Sequence, residues 1–303
     1  LEEIYLSNKR KKGGFTIKIR LTFLSVLLLL VFSIPSLQAD AHNNADDARN
    51  VTLKVMTYNI HAGIGSDGSY DLDRIADIIE ASEADVIGLQ EVDKNWGYRS
   101  NFDDQLQRLA EKLDMHAFMA PIYNQDPIFE GEPRRKYGVA VLSKYPIINA
   151  DNRHITRLST QGTDPIPAPA PGFAETVINA KGAIFSFYVT HLDYRGDPYV
   201  REAQVEDMLT IMPENDNVIL TGDMNASPDA PELDPLFNRF NDGWTESGEG
   251  IGYTYSASSP SQRIDYILTS EGMRTSNARV IDTLASDHLP VVMDVTLKRG
   301  NGR

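Results

Sequence analysis

Short apolar runs recur between residues 51 and 298, and the spacing of their hydrophobic positions switches between the period of a strand and that of a helix. "VTLKVMTYNI" (51–60) alternates as a strand does. "DLDRIADIIEA" (71–81) instead sets Leu72, Ile75, Ile78 and Ile79 on one helical face behind an Asp able to cap it. "ADVIGLQEV" (84–92) reads as strand again and "DQLQRLAEKL" (104–113) as helix. Strands are predicted at "YGVAVLSKYPI", "GFAETVINA", "AIFSFYVTHL", "NVILTGD", "RIDYILT", "NARVID" and "LPVVMDVTL", with a helix near 198–212 whose Val205, Met208, Leu209 and Met212 face a core. "TQGTDPIPAPAPG" (160–172) is rich in Pro and Ala and predicts a stiffened surface loop. No short internal repeat interrupts this order. Strands alternating with helices predict an α/β protein with one main layered domain over 51–298.

The first forty residues break the pattern. A basic run, "NKRKKGGFTIKIR", precedes the apolar "LTFLSVLLLLVFSI" (21–34), and "SLQADA" offers small residues for cleavage after Ala39 or Ala41. Residues 1–41 therefore read as a secretory signal, 42–50 as a polar linker and 299–303 as a tail. The expected location is secreted or periplasmic. Retention of the apolar segment as a membrane anchor is the alternative, although it is shorter than the ~20 residues a span needs.

Composition narrows the chemistry. With 41% hydrophobic and 24% charged residues in 303, the chain suits a globular fold rather than a disordered or fibrous one. The net charge is -14, and residues 42–303 carry 23 Lys and Arg against 40 Asp and Glu, so general attraction to nucleic-acid backbones is lacking. No stable nucleic-acid complex is expected, and a monomer is. The chain has no Cys, which excludes thiolate chemistry, disulfides and lipid attachment through an amino-terminal Cys. A metal site would have to use carboxylate, amide and imidazole, a donor set that suits magnesium or manganese, with calcium less favoured.

Chemically capable residues gather where strands end. Asn59 closes the first strand, Glu91 lies in "VIGLQEV", His191 in "FYVTHLD", Asp223 and Asn225 in "VILTGDMN", Asp265 in "RIDYIL", and Asp287 and His288 precede the last strand. Each has an ordinary structural reading: Glu91 as a solvated strand end, His191 as a satisfied core histidine, Asp265 as a partner of Arg263, and Asp223 and Asn225 as turn formers. Their repetition at strand ends, where layered α/β folds bind ligands, favours a shared site.

The ordered set "TYNIH", "ADVIGLQEVD", "YGVAVLS", "THLD", "ILTGDMNASP", "RIDYIL" and "SDHLPVV" resembles the endonuclease/exonuclease/phosphatase superfamily of metal-dependent phosphoesterases, over nearly all of 51–298. The resemblance implies a four-layer α/β sandwich, two packed mixed β-sheets flanked by helices. It also implies phosphoester hydrolysis by metal-assisted in-line attack of water. It casts Glu91 as the principal metal ligand with Asn59 and Asp287 beside it, and Asp223 as the residue that orients or deprotonates water. Asn225, His191 and His288 would be donors to the phosphoryl group, and Asp265 the orienting partner of His288. No residue of this set departs from the family pattern.

The surroundings are less specific. In "GEPRRKYG", Arg134, Arg135 and Lys136 could meet a phosphate or form a solvated loop, and Tyr137 and Tyr194 are candidates for the cleft wall. Substrates left open are a lipid head group, a sugar phosphate or nucleic acid. A phosphate- or head-group-binding protein without turnover is the alternative of another class, and a surface-anchored relative of glycolipid-anchor remodelling proteins is a third.

Overall fold

A computed structural model describes residues 50–299 apart from Asp164, Asn215 and Asp216. The signal segment (1–41), the linker up to residue 49 and the tail beyond Arg299 lie outside the described residues. In chain order the strands are β1 (Asn50–Asn59), β2 (Val86–Lys94), β3 (His116–Gln125), β4 (Arg135–Ser143), β5 (Ile147–Arg157) and β6 (Ala168–Ala180). They continue with β7 (Ala183–His191), β8 (Val218–Asp223), β9 (Asn241–Asp242), β10 (Asp265–Thr269), β11 (Arg274–Val280) and β12 (Val291–Lys298). The three longer helices are α1 (Leu72–Ser82), α2 (Gln105–Leu113) and α3 (Tyr199–Ile211).

Two six-stranded mixed sheets form, one ordered β11-β12-β1-β2-β4-β3 and the other β5-β6-β7-β8-β10-β9. Each is built around one parallel pair, β1 with β2 and β7 with β8, and each pair is joined by a crossover containing α1 or α3. Strand alternation sorts the core into layers. Leu53 and Val55 of β1, Phe185 and Phe187 of β7 and Ile219 of β8 meet between the sheets. Met56, Tyr58 and Ile87 turn outward onto Ile75, Ile79, Leu106 and Leu109 of α1 and α2. Tyr188, Val218 and Leu220 turn the other way onto Val205 and Met208 of α3. Central strands thus bury both faces, which is why they read as nearly continuous apolar runs. The result is the expected four-layer α/β sandwich.

At the centre the sheets approach so closely that only Gly fits: a Cβ on Gly88 would lie 2.1 Å from Thr221 Oγ1 of the facing sheet. Asp71 caps α1 as expected, its Oδ1 accepting from the backbone N–H of Asp73 at 3.0 Å and Arg74 at 3.2 Å. The Pro-rich stretch differs from its expectation in its second half. Ala168, Pro169 and Ala170 pair with Arg157, Thr156 and Ile155, and β7 joins β6 only from Ala174. With a neighbour on one side, this part of β6 tolerates prolines that a central strand would not. Among the described residues no helix is long and apolar enough to cross a membrane.

Candidate active site

The topology itself gathers the site. A parallel pair brings two carboxyl ends to one rim, and an antiparallel neighbour brings its amino end to the same rim. In the first sheet, β1 ends at Asn59 and β2 passes Glu91, while Asp287 and His288 lead into β12, antiparallel to β1. In the second, His191 of β7 pairs with Asp223 of β8, and Asp265, the first residue of antiparallel β10, pairs with Asp223 from the other side.

Asp223 is the hub of the polar contacts. Its Oδ2 accepts from Asn59 Nδ2 at 3.0 Å and lies 3.5 Å from His191 Nε2 and 3.6 Å from His288 Nε2. Its Oδ1 accepts the backbone N–H of Asn225 at 2.9 Å. Asn59, Asp223, Asp265 and His288 are buried, whereas Glu91, His191, Asn225 and Asp287 keep partial access to solvent. A carboxylate therefore stands inside the protein with its reactive edge facing imidazoles and an amide.

The β2 backbone explains how Glu91 enters the cleft. The pairing of β2 with β4 slips between Leu89 and Val92, and Glu91 lies in the left-handed region at φ 57°. Such a bulge re-aims a side chain that strict alternation would send elsewhere. Asn59 Nδ2 reaches Glu91 Oε1 at 3.3 Å as well as Asp223. The orientation of this amide is fixed, because Asn59 Oδ1 accepts the backbone N–H of His61 at 3.0 Å. Asn59 thus presents a donor to the two carboxylates, and its amide oxygen, the atom expected to meet a metal, instead holds the His61 N–H.

Asp265 and His288 form the most buried pair, with Nδ1 and Oδ2 2.9 Å apart. Burial opposes charge on His288, but Asp265 and Asp223 outweigh it and raise its pKa to about 10. At neutral pH the ring is an imidazolium held from one side, with Nε2 towards Asp223. The Tyr255 ring packs on it, centroids 4.8 Å apart. Arg263, the ordinary partner considered for Asp265, instead grips Asp242 at 2.8 and 3.1 Å.

Asn225 reaches its place by a turn and not by strand alternation. β8 stops at Asp223, and Asn225 lies at φ 49° with its backbone N–H on Asp223 and its Nδ2 donating to Leu192 O at 3.1 Å. One N–H of the amide is left for a ligand.

Glu91, Asp223 and Asp287 form no ion pair with Lys or Arg among the described residues; Asp287 has His61 Nδ1 at 3.6 Å and accepts from Ser286 Oγ at 3.4 Å. Three such carboxylates with an amide and imidazoles are a donor set that fits a hard divalent cation. Asp223, Asp265 and His288 also carry ligand atoms within 4.8 Å of one another. The Nδ1–Oδ2 hydrogen bond already ties Asp265 to His288, whereas Glu91 and Asp287 both line the open cleft.

Glu91, His191, Asp223, Asn225, Asp287 and His288 line a cleft of about 530 Å³, whose lining adds Ile122, Tyr123, Tyr137, Arg157 and Tyr194. Tyr137 and Tyr194 thus lie on the wall. Burial and the nearby Glu91 push the Tyr137 hydroxyl well above its ordinary pKa, which keeps it a neutral donor. Arg135 is outside this lining: it donates to Asp126 O and Gln125 Oε1, both at 2.8 Å, and stacks over Trp96. Arg134 pairs with Asp126, so both arginines are engaged away from the cleft lining. Sequence reasoning missed Arg157, Tyr123 and Tyr255. The first two stand on or beside outer strands whose patterns are weak, and Tyr255 lies in a loop.

A family model described as the Endonuclease/Exonuclease/phosphatase family matches residues 56–288. Uncharacterized protein YbhP of Escherichia coli K12 is 22% identical over 192 residues, covering 59% of this chain and 69% of its own. An endonuclease/exonuclease/phosphatase from Beutenbergia cavernae has a similar fold, with TM-score 0.69 and 26% identity over 82% of this chain and 72% of its own. A mannosyl-6-phosphatase from Bacteroides thetaiotaomicron superposes with TM-score 0.60 at 19% identity, over 80% of this chain and 99% of its own. The chain belongs to the endonuclease/exonuclease/phosphatase family, whose members are phosphoester hydrolases.

Proposed function

We propose that the protein is a secreted or periplasmic, divalent-metal-dependent hydrolase of small phosphoesters. The observation that carries this reading is the contact of Asn59, His191 and His288 with the buried carboxylate of Asp223, in a cleft also lined by Glu91 and Asp287, which form no ion pair with Lys or Arg among the described residues. In-line attack on a phosphoester needs a base for water and positive charge opposite the oxygens that gain electrons. Asp223 is the base. Asn59 Nδ2 fixes its Oδ2, and the Asn225 backbone N–H fixes its Oδ1. His288, charged and locked by Asp265, and His191 donate to phosphoryl oxygens, and the free N–H of Asn225 adds a neutral donor. Glu91 and Asp287 would hold the cation, magnesium ahead of manganese and calcium, which when bound supplies Lewis acidity to the phosphoryl group.

A cleft of about 530 Å³ is the size of a small-molecule site, and the acidic chain offers no long basic track for a nucleic acid. A sugar phosphate or a lipid head group suits it better than a polymer. The basic and apolar amino-terminal segment supports export. The test is phosphate release from sugar phosphates, nucleic acid, lipid head-group esters and bis-(p-nitrophenyl) phosphate, after chelation and re-addition of each metal. Release from at least one ester, dependent on a divalent cation, is expected. Binding without release from any would replace this reading with that of a phosphate-binding protein.

A further inference from the structure

Arg157 is the one cationic side chain lining the cleft that the mechanism above does not use. It is the last residue of β5, and its guanidinium is set in place by backbone alone. Nε donates to Pro171 O at 2.9 Å, Nη2 to Gly172 O at 2.8 Å and Nη1 to His191 O at 3.1 Å. Space for it is cut into β6. Gly172 takes φ +115°, and a Cβ there would lie 3.1 Å from Arg157 Nη2 and 2.3 Å from Ile122 Cγ1.

Arg157 makes no ion pair among the described residues, whereas the other arginines near the cleft do: Arg99 with Asp93, Arg195 with Asp193 and Arg201 with Glu232. Carbonyl oxygens use three of its five N–H donors, and two remain. Burial lowers its pKa to about 10, so it stays charged at neutral pH. Arg157 is half-buried, so its charge is partly withdrawn from water without a counter-charge, which is costly unless an anion is met there.

We infer that Arg157 holds a second anionic group of the substrate, a phosphate or carboxylate on the part of the molecule beyond the scissile phosphoryl. Sheet order sets the span. His191 pairs with Asp223, and the guanidinium bridges His191 and β6 on the side away from β8. It therefore stands one to two strand spacings from Asp223, about 5–10 Å. That is the separation of two anionic groups on one sugar ring or short polyol. Tyr123 and Tyr137, stacked with centroids 6.1 Å apart, line the same cleft and offer the ring a face. The assignment rests on the proposed phosphoester site, and its ligand class is a phosphoester with two anionic groups.

The test compares glucose 1,6-bisphosphate with glucose 6-phosphate. Binding is measured by calorimetry with magnesium present in an Asp223→Asn background, where turnover is not expected. Tenfold or greater preference for the bisphosphate is expected. Adding Arg157→Gln, which still has an amide donor for a carbonyl, should bring the ratio to within twofold, and Arg157→Lys should hold it between. No preference in the Asp223→Asn protein overturns the inference without reference to any Arg157 variant. A preference that survives Arg157→Gln overturns it as well, and leaves the residue a staple of β5, β6 and β7. Should the parent chain cleave no phosphoester while the preference and its loss hold, the hydrolase reading falls and the anion subsite stands.

Discussion

Replacing Asp223 with Asn separates the charge of the hub from its shape. Asn225 donates its backbone N–H to Oδ1 at 2.9 Å, so that atom must remain an acceptor and the new NH2 takes the place of Oδ2. There it faces Asn59 Nδ2, 3.0 Å away, and Asn59 cannot turn because its own Oδ1 holds the His61 N–H. Two donors then meet in a buried site. The lost charge-assisted bond and the unsatisfied donor cost about 2–4 kcal/mol, part of which is offset as the repulsion from Glu91, on the same amide, is relieved. A net loss of about 1–3 kcal/mol corresponds to a Tm lower by roughly 2–10 °C in a domain of this size. Activity should fall much further. Removing a general base lowers kcat by about 10²–10⁴, or about 2.7–5.5 kcal/mol of barrier. Initial rates of phosphate release on the best ester, with thermal unfolding of both proteins, measure the two effects separately. A variant with kcat/KM within tenfold of the parent would refute the role given to Asp223.

Other substitutions probe the supports. Asp265→Asn should cut kcat at least tenfold while KM changes little, because His288 loses both its orientation and the carboxylate that charges it. The folded pKa of His288, about 10, lies above its ordinary 6.5, so its charge stabilises the fold most below pH 6.5, as long as Asp265, whose carboxyl burial pushes up, keeps its own charge, and no longer above about pH 10. The Tm gap between parent and Asp265→Asn should therefore narrow across that interval, and a gap independent of pH would count against a charged pair. Gly88→Ala puts a methyl 2.1 Å from Thr221 Oγ1 and should cost about 1–3 kcal/mol, read as a lower Tm; an unchanged Tm would mean that the sheets do not meet there as described.

The central strands were legible because burial on both faces writes an apolar run, as in Val218, Ile219 and Leu220. The outer strands β3 and β5 were not. β3 and β5 are mostly half-buried or exposed, β3 carries Pro121, and an edge strand has little apolar pattern to display. The site residues on strand ends were readable for the same reason as the strands: polar groups at the end of a core run stand out. What periodicity could not give was the backbone that aims them. Glu91 depends on a bulge and Asn225 on a left-handed turn, and neither leaves a mark in hydrophobic spacing. Arg157 ends an edge strand of mixed polar and apolar residues, so nothing in its local sequence distinguishes it from a solvated arginine.

The most direct measurement is the magnesium dependence of phosphoester hydrolysis by chelated protein, parent against Glu91→Ala. The account predicts no release without metal, recovery on titration in the parent, and a magnesium requirement at least tenfold higher in the variant. Full activity after chelation, or superimposable titrations of the two proteins, would contradict it.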